Sequence, residues 1–510
     1  MPLHNPLQTF DHSQFNSIIN RDDGQVIPTH YATNIENWII RNAGEPEMRD
    51  GLTAMGTNPA ATNLGATFLS NSASSIKKYL RVLNGAANTS KFQHSDNGVT
   101  WTDVTSGGSR TTNLPWRFAQ ANGYIYGVNG TDTPIKYDGN TIATVVGIPN
   151  GTAIEWWKNF LWTFGSLTFP DRAYYSNPND PETFGGSSYL NINLGDYSKG
   201  VGLRGTPGQS GRLFCGKERS WWFITGSSSA DFALNPLTYE FGCASAEAIV
   251  AGKNDVWAID LEGNVRGLYR SQQDTAFGSL RSKDIQTTIS GLNRVSITRS
   301  TGTYFNNFIL FFVPNGVDDY NSLVLVWDYL ANRGQGGWVK FTNWNIARAV
   351  VSQESSQPKL FLFDARVGNG QAYQWAGTSD NGQAILAKYE TKIYDLGYPE
   401  REKSFRFNYQ YAPVVGDINM RFYVSIDRYY YVKLADINLT GTGNKKLGQT
   451  FVLGQDKLGS GGFVKYQVPF SNYGGDTDGT TMQVKLEAES STTKIKLRRF
   501  TTHYRVYGLH

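Results

Sequence analysis

The sequence predicts an all-β protein: a β-propeller of six or seven irregular blades with an extended N-terminal arm and a C-terminal antiparallel β-sandwich. The 510 residues include 54 glycines, 14% are aromatic and only 18% are charged. This composition favours strands joined by tight turns and excludes a coiled coil, a helical bundle, a collagen-like repeat and a disordered chain. Aromatic strands also recur at gaps of about 35 to 60 residues, which bracket the ~40–50 residues of a four-stranded blade.

Residues 1–60 form the predicted N-terminal arm. They are mostly small and polar, and residues 38–42 are the one short strand that the pattern indicates. Such a segment cannot build a core of its own, so we expect it to gain order by lying on the main body or on a neighbouring subunit. Deletion of the arm is therefore expected to leave a folded monomer that no longer assembles. Four arm residues are candidates for the interface: Trp38, Ile39, Ile40 and Arg41.

Residues 61–393 form the predicted propeller. Six units each combine an alternating aromatic strand, a Gly/Asn/Asp turn and a second strand, and a less regular unit precedes them. The seven units lie at residues 80–104, 116–140, 156–176, 213–223, 255–266, 305–327 and 360–375. The alternative fold, a pair of β-sandwiches, would show turn signals every ~8–12 residues but no period of ~45 residues. The period therefore favours the propeller.

Two pairs of adjacent tryptophans occur in these units, Trp156 with Trp157 and Trp221 with Trp222. Neighbouring residues on a strand point to opposite faces of the sheet. One ring of each pair is therefore expected in the core, and the other against a neighbouring blade or subunit. This makes Trp157 and Trp222 further interface candidates. The alternative is that exposed tryptophans and tyrosines stack on sugars, as on a lectin.

Residues 394–510 form the predicted sandwich, because apolar and polar residues alternate there as in an antiparallel sheet covered on one face. The alternating segments are residues 404–409, 420–424, 482–486, 494–498 and 502–506, with glycine-rich turns at 441–443 and 459–462. Basic residues in this region have the spacing of the solvent side of an edge strand, where lysine discourages pairing between edges. They are Lys494, Lys496, Arg498, Arg499 and Arg505.

The sequence offers few candidates for catalysis. None of its six histidines lies between residues 95 and 502. It contains no zinc-protease, nucleophile-elbow, Walker or EF-hand motif. We therefore predict no enzyme activity, no cofactor and no metal site. Cys215 and Cys243 are expected to be buried free thiols, and a disulfide between them is the alternative.

Two short segments resemble the Asp-box turn of sialidase-type propellers, residues 96–101 and residues 378–382. In those enzymes the box is a turn between the outer strands of a blade, remote from catalysis. Both segments therefore favour blades rather than glycosidase activity. A sialidase-type site would also need arginines grouped around a tyrosine nucleophile, and the sequence does not group them.

Charge and hydropathy exclude two further classes of protein. The chain has 47 Lys and Arg against 43 Asp and Glu, a formal net charge of +4, whereas a dedicated nucleic-acid binder normally concentrates basic residues on one face. No segment is apolar over the ~18 residues of a spanning helix. The first residues also lack the pattern of a secretory signal. We therefore expect a protein that is made and kept in a cytoplasm, or that leaves it without a signal-peptide route, and that has no lipid anchor.

Several short motifs carry a resemblance to a known family. They are Ala32-Thr33-Asn34-Ile35 continuing to Ile40-Arg41-Asn42, Met48-Arg49-Asp50-Gly51-Leu52, Asn179-Asp180-Pro181-Glu182-Thr183-Phe184, Lys217-Glu218-Arg219-Ser220-Trp221-Trp222 and Phe241-Gly242-Cys243-Ala244. Together they resemble the opening, the D-P-E-T-aromatic turn, the K-E-R-S strand and the following Gly-Cys turn of a family of tailed-phage virion proteins. This family comprises propeller-containing tail proteins, including the nozzle (tail tubular or stabilisation protein) of short-tailed phages. The resemblance covers about residues 30–270.

The resemblance implies a structural role in a phage tail. Its implied partners are further copies of the chain in a cyclic ring, six in number, an adaptor or portal-side ring, tail fibres or spikes, and phage DNA passing through the lumen without specific binding. The implied location is the virion, after assembly in the cytoplasm of the host bacterium. The wall of such a conduit should not bind the passing DNA tightly, and each lysine or arginine contact to phosphate strengthens binding. A near-neutral chain agrees with this requirement. The alternative function is a glycan-binding or sialidase-like propeller.

Overall fold

The computed structural model describes residues 6–41, 44–85, 89–104, 110–208, 210–253, 255–268, 279–353, 357–411, 415–442, 464–468 and 478–507. Its regular structure is almost entirely β, as predicted. The exceptions among the described residues are short helices of three to six residues. They lie at Ala246–Ala248, Lys283–Ile285, Gln286–Ser290, Arg294–Arg299 and Ala331–Gly334. The predicted turn at residues 459–462 lies outside the described residues, and that at 441–443 lies partly outside them.

Five strands lie in the N-terminal segment, where the sequence indicated one. They are β1 (Gln8–His12), β2 (Ala32–Glu36), β3 (Trp38–Arg41), β4 (Glu45–Met48) and β5 (Leu52–Met55). Only β3 and β4 pair with each other. The other three pair with strands from distant parts of the chain. The segment is therefore part of the sheets of the main body rather than an arm that lies on their surface.

The first three blades are four-stranded antiparallel sheets in which consecutive strands are neighbours. Blade 1 is β6 (Asn63–Asn71), β7 (Ile76–Asn84), β8 (Ser90–Ser95) and β9 (Thr102–Asp103). Blade 2 is β10 (Arg117–Ala121), β11 (Tyr124–Val128), β12 (Ile135–Tyr137) and β13 (Ile142–Thr144). Blade 3 is β14 (Ala153–Trp157), β15 (Phe160–Phe164), β16 (Arg172–Tyr175) and β17 (Tyr189–Asn191).

The next three blades repeat this order of strands. Blade 4 is β18 (Gly200–Gly205), β19 (Leu213–Lys217), β20 (Trp221–Thr225) and β21 (Ala233–Thr238). Blade 5 is β22 (Ile249–Ala251), β23 (Val256–Ile259), β24 (Val265–Gly267) and β25 (Ser279–Leu280). Blade 6 is β26 (Thr301–Phe305), β27 (Phe308–Pro314), β28 (Asn321–Asp328) and β29 (Gly337–Thr342).

Blade 7 takes its fourth strand from the N-terminal segment. It consists of β30 (Ile346–Ser352), β31 (Lys359–Asp364), β32 (Ala372–Trp375) and β5, which runs antiparallel to β32. The innermost strands of successive blades contact one another in a closed circle, from β6 through β10, β14, β18, β22, β26 and β30 back to β6. The described residues therefore form a seven-bladed β-propeller.

The predicted propeller is confirmed unit by unit, because each of the seven predicted units lies in a different blade. The units at residues 116–140 and 156–176 begin in the first strand of their blades. Those at 213–223, 255–266, 305–327 and 360–375 begin around the second strand. The blades themselves are also unequal in length, because their first strands begin at residues 63, 117, 153, 200, 249, 301 and 346.

Buried aromatic residues fill the wedges between blades, which explains the composition. Trp157 and Trp222 belong to one cluster between blades 3 and 4, and Trp221 belongs to the next cluster, between blades 4 and 5. Trp156 packs on the cluster between blades 2 and 3. The predicted alternation of adjacent rings is thus confirmed. Both cysteines are buried and free, as expected.

The C-terminal strands form two sheets that share one buried core. They are β33 (Ile385–Thr391), β34 (Lys403–Tyr411), β35 (Val415–Ile426), β36 (Val432–Thr442), β37 (Val464–Val468), β38 (Asp478–Gly479), β39 (Met482–Ser490) and β40 (Leu497–Val506). One sheet has the order β33-β39-β35-β36. The other has the order β1-β40-β34-β37, with β38 also beside β34.

Strand β2 joins the propeller to the C-terminal sheets. It pairs with β29 of blade 6 on one side and with β33 on the other, so that nine strands form one continuous sheet. Strand pairing therefore crosses both predicted boundaries, at residues 60–61 and 393–394. Strand β33, which the sequence analysis placed in the propeller, pairs with β39. The strands that residues 1–60 supply to three sheets argue against the expectation that the chain folds without them.

The basic stretch near the C-terminus does not lie on an edge strand, which corrects that prediction. Strand β40 is paired on both sides, with β1 and with β34. Three acidic residues of the N-terminal segment form ion pairs with the basic residues of this stretch. The ion pairs are Lys494 with Asp50, Lys496 Nζ with Glu45 Oε2 at 3.0 Å, and Arg499 Nη1 with Asp11 Oδ2 at 3.6 Å. The stretch fastens the N-terminal segment to the C-terminal sheets.

Candidate functional site: the central channel of the propeller

Five charged residues come from the innermost strands or from the residues just before them. They are Arg117 on β10, Glu155 on β14, Arg204 on β18, Arg348 on β30 and Glu247 ahead of β22. The sequence analysis missed all five, because they are far apart along the chain. A local signal does exist: each is a lone charge within or beside a short apolar strand. The ring of blades brings the five together near the propeller axis.

These charges are partly paired. Arg117 Nε lies 3.0 Å from Glu247 Oε1, and Arg204 Nη1 lies 3.8 Å from Glu155 Oε2. Glu155 also accepts a hydrogen bond from the backbone N–H of Gly205 at 3.1 Å. Arg348 donates to the carbonyl of Ala347 at 2.7 Å. With three arginines and two glutamates, the group keeps a positive excess.

Burial changes the acid strength of these groups. Burial, and then the neighbouring Arg348, lower the pKa of Arg117 to about 10 against the opposing effect of Glu247. Burial also lowers the pKa of Arg348, again against the effect of Glu247. The pKa of Glu155 is raised by burial, against the opposing effects of Arg204 and the Gly205 N–H. Arg117, Glu155 and Arg348 are thus weakly solvated, whereas the side chains of Glu247 and Arg204 stay about one third exposed (31% and 37%).

A cavity of about 460 Å³ lies beside the first residues of several innermost strands and the residues that precede them. Arg117 and Arg348 line it together with Asn63, Ser245, Arg299 and Tyr320. Arg299 lies at the solvent-exposed rim, where it pairs with Asp319 at 3.2 Å. The volume falls within the ~300–1,000 Å³ of small-molecule sites. The cavity is the candidate site of this protein.

Several polar atoms in the cavity wall are buried without a hydrogen-bond partner among the described residues. They are Nη1 of Arg117, Nε of Arg348, both amide atoms of Asn63 and Oδ1 of Asn321. Native structures leave few buried polar groups unpaired, and each such group requires an explanation. A polar molecule in the cavity would supply both the missing acceptors and the missing donors.

The structure corrects two of the six predicted interface residues, Trp38 and Ile40, and places Trp157 and Trp222 at a contact between neighbouring blades rather than between subunits. Trp38, Ile40, Trp157 and Trp222 are buried among this chain's own residues, with at most 9% of the residue exposed. Their side chains therefore offer no free surface to a second subunit. Ile39 is half-buried against the main core, and its interface role stays a prediction. The side chain of Arg41 lies outside the described residues.

Arg49, in the second family motif, is a buried anchor. Its side chain is fully buried and binds Asp380 through two hydrogen bonds, Nη1 to Oδ1 at 2.8 Å and Nη2 to Oδ2 at 2.6 Å. Such a bidentate pair fixes both partners in position. Asp380 follows β32, and Arg49 precedes β5. The pair therefore locks the N-terminal segment onto blade 7.

Lys217, which opens the K-E-R-S motif, is a second anchor. Its ammonium group is fully buried and donates to Asp171 Oδ1 at 2.6 Å, to Asp196 Oδ1 at 2.5 Å and to the carbonyl of Ile192 at 3.0 Å. Asp171 lies in the loop before β16, and Asp196 lies in the loop that leads from blade 3 to blade 4. One buried charge thus holds two loops together.

Glu182, in the D-P-E-T motif, holds blade 2 to blade 3. Its Oε1 accepts hydrogen bonds from Lys136 Nζ at 2.5 Å and from Tyr126 Oη at 2.9 Å. Both partners belong to blade 2, whereas Glu182 lies between the third and fourth strands of blade 3. In three of the family motifs, then, a polar residue ties separate parts of the fold together.

The first Asp-box-like segment is a turn between the third and fourth strands of blade 1, as predicted for such a box. Asn97 Oδ1 accepts hydrogen bonds from the N–H groups of Val99 and Thr100, and Trp101 Nε1 donates to the carbonyl of Gly98. The segment at 378–382 instead leads from β32 to the C-terminal sheet and carries Asp380. Neither segment lines the cavity.

Within the described part of the chain, no group of three or more His, Cys, Asp and Glu side chains could hold a metal ion. A search of the same residues for a membrane-spanning helix finds none that is long and apolar enough.

No protein-family model and no curated protein matches the chain. Its fold is similar to that of several solved structures. YCF48 from Cyanidioschyzon merolae is 9% identical, with 64% of this chain and 98% of that chain covered and a TM-score of 0.37. A protein from Lactobacillus plantarum is 11% identical, with 61% and 96% covered and a TM-score of 0.37. An exo-β-1,3-galactanase from Phanerochaete chrysosporium, with β-1,3-galactotriose, is 10% identical, with 90% and 100% covered and a TM-score of 0.26. These similarities are too distant to indicate a function.

Proposed function

We propose that this protein is a structural subunit of a phage tail, a nozzle or head-to-tail ring that forms a conduit for genome ejection and a platform for other tail proteins. The observation that carries the proposal is the position of the family motifs. Arg49, Glu182 and Lys217 each make a buried or half-buried ion pair that fastens one part of the chain to another. In three of the motifs that resemble the family, one polar residue therefore holds separate parts of the fold together, as a rigid tail subunit requires.

The joint between propeller and C-terminal sheets supports a mechanical role. Strand β2 makes blade 6 and the sheet of β33 one continuous hydrogen-bonded surface. A subunit built in this way transmits a load through backbone hydrogen bonds rather than through a flexible linker. Such stiffness suits a ring that must keep its lumen open.

In such a ring the DNA path would lie between the copies, not along the axis of one propeller. The channel of each propeller contains paired arginines and glutamates, and the cavity at its mouth measures about 460 Å³. That space suits a small molecule and not a duplex. The lumen would therefore be lined by the outer surfaces of the subunits.

One patch on the surface is suited to contact between copies. Leu167, Phe169, Leu194 and Tyr197 lie in the two loops that Lys217 holds together, and their exposed fractions range from 44% to 103%. Exposed apolar groups clustered on a firmly held surface are typical of protein interfaces. We assign this patch, the Lys217 loop patch, to subunit contact.

Measurement of the native mass of the purified protein, alone and with virion components, tests the proposal. We expect a multimer of defined copy number, and six copies if the resemblance extends to symmetry. The double variant Leu194→Ser, Tyr197→Ser should weaken assembly. Val317→Ser removes an equally exposed apolar side chain from blade 6 (96% exposed) and should leave assembly intact. A protein that stays monomeric both alone and with virion components would contradict the proposal.

One observation favours the alternative of a glycan-binding propeller. Arg117, Arg299 and Arg348 line the same cavity as Tyr320. A retaining sialidase-type site also needs a carboxylate beside its tyrosine. In the described residues Glu247 instead pairs with Arg117. The cavity is thus better suited to holding an acidic group than to cleaving a glycosidic bond. This alternative predicts a monomer that retains acidic sugars on a glycan array.

A further inference from the structure

We propose that the cavity at the mouth of the propeller channel binds a small anion, through a carboxylate, phosphate or sulfate group held by Arg117 and Arg348. This site is independent of the proposed tail role, because it lies within one propeller and needs no second copy. Three observations on the cavity wall support it: charge balance, unpaired polar atoms and size.

The charge balance of the wall favours an anion. Arg117 and Arg348 both line the cavity, and Glu247 is the carboxylate that pairs with Arg117 at 3.0 Å. The hydrogen bond from Arg348 goes to a neutral carbonyl, that of Ala347. The remaining glutamate, Glu155, is occupied by Arg204 and the Gly205 N–H. Two guanidinium groups therefore share one carboxylate, and an anion would balance the excess positive charge in this partly buried site.

The unpaired atoms define what the ligand must offer. Nη1 of Arg117 and Nε of Arg348 are N–H donors without acceptors, and the amide of Asn63 adds a donor and an acceptor. A guanidinium group binds a planar or tetrahedral oxyanion through parallel hydrogen bonds. A ligand with an anionic group at one end and hydroxyl groups at the other would satisfy the arginines and Asn63 together.

The size of the cavity further restricts the class of ligand. About 460 Å³ exceeds the volume that a single oxyanion fills. Ser245 and Asn113 also line the cavity and add hydroxyl and amide groups. We therefore expect a carboxylated or phosphorylated compound of about the size of a monosaccharide to bind more tightly than an inorganic anion.

Calorimetric titration of the intact protein at constant ionic strength tests the site. The probes are sodium glucuronate, inorganic phosphate, sodium sulfate and uncharged glucose. We expect saturable binding of one glucuronate per chain, weaker binding of phosphate and sulfate, and no binding of glucose. Stronger binding of phosphate than of glucuronate would assign the site to an inorganic anion and still support anion binding.

Matched arginine variants locate the binding. Arg348→Gln should weaken glucuronate binding by about tenfold or more, because a charge-assisted hydrogen bond is lost. Arg299→Gln, at the exposed rim, should change it by less than about threefold. Arg117→Gln would leave Glu247 without its partner and lower stability, so Arg348→Gln is the decisive variant. Absence of any anion binding, with the cavity holding water alone, would overturn the proposal. So would anion binding that Arg348→Gln leaves unchanged in a folded protein.

Discussion

His12 is buried between the N-terminal segment and the C-terminal sheets, with 2% of the residue exposed. Its Nδ1 lies 2.6 Å from Tyr394 Oη, and its Nε2 lies 3.4 Å from Tyr389 Oη. Burial, and then the neighbouring His30, lower the pKa of His12 to about 3 from the ordinary 6.5. The folded protein therefore keeps this imidazole neutral at a pH where the unfolded chain protonates it.

This depressed pKa predicts a loss of stability in acid. Above about pH 6.5 His12 is neutral in both states and has no effect on the pH dependence. As the pH falls from about 6.5 towards 3, the unfolded chain binds a proton that the folded protein does not, at a cost of up to about 1.4 kcal/mol per pH unit. His12→Gln removes this contribution. Urea unfolding between about pH 4 and 7 should show a shallower pH dependence in the variant, and parallel curves would refute the prediction.

Sequence reasoning succeeded at the residue scale where the cause was local. The opposite orientation of Trp221 and Trp222 follows from the pleat of a strand, and the structure places the two rings in different clusters. The charged site could not be predicted in the same way. Arg117 and Glu247 meet only because the closed ring of blades brings β10 near the start of β22. Nothing in the sequence around either residue specifies that partner.

At the scale of single elements, closure of the propeller depends on Gly51, just before β5. A Cβ atom added there would overlap the backbone carbonyl of Ser379. We therefore expect Gly51→Ala to displace β5 from β32 and to lower the free energy of unfolding by about 1–3 kcal/mol, as overpacking does. Gly186→Ala is the matched control, because a Cβ there meets nothing within 4 Å. Chemical denaturation of both variants tests the difference, and equal stability would refute it.

The C-terminal strands show how far periodicity predicts an element. The sequence indicated two strands, at residues 494–498 and 502–506, where the structure has the single strand β40. The alternation breaks because the register with β34 shifts: Gln410 pairs with Arg499, but Tyr411 pairs with Leu497. A β-bulge adds one residue to the strand and interrupts the period of two. The pattern identified the strand but could not reveal the bulge or the two neighbours that make β40 central.

At the scale of the whole molecule, the N-terminal segment contributes strands to the propeller, to the C-terminal sheets and to the junction between them. Deletion of residues 1–60 removes β5 from blade 7, β2 from the junction and β1 from the C-terminal sheet, and leaves Asp380 without Arg49. An unpaired buried charge alone costs about 3–5 kcal/mol. We therefore expect the truncated chain to aggregate or to be digested by proteases.

A shorter truncation provides the control. Deletion of residues 1–12 removes β1 but keeps β2, β5 and Arg49. This chain should keep a closed propeller, with a near-ultraviolet circular dichroism spectrum close to that of the intact protein. A folded, protease-resistant protein after deletion of residues 1–60 would contradict the expectation.

The sequence predicted the propeller and its blade count to within one, because each blade repeats its own turns and aromatic strands. It did not predict how the ring is closed. The pattern around Leu52 indicates neither a strand nor its partner, since the residues that β5 covers lie on β32, in a remote part of the chain. Long-range pairing of this kind depends on the packing of the complete fold.

The positions of β1 and β5 near the start of the chain determine when blade 7 and the C-terminal sheet can form during synthesis. Strand β5 is synthesised before every other strand of its blade, and Thr9 contacts His503, which is 494 positions later. Blade 7 cannot be completed until residue 375 has left the ribosome. Strand β1 cannot pair until its partner, β40, has been synthesised near the end of the chain. Contacts this distant slow folding and leave strand edges open to wrong partners in the meantime. Newly made chains should therefore depend on chaperones until synthesis is complete.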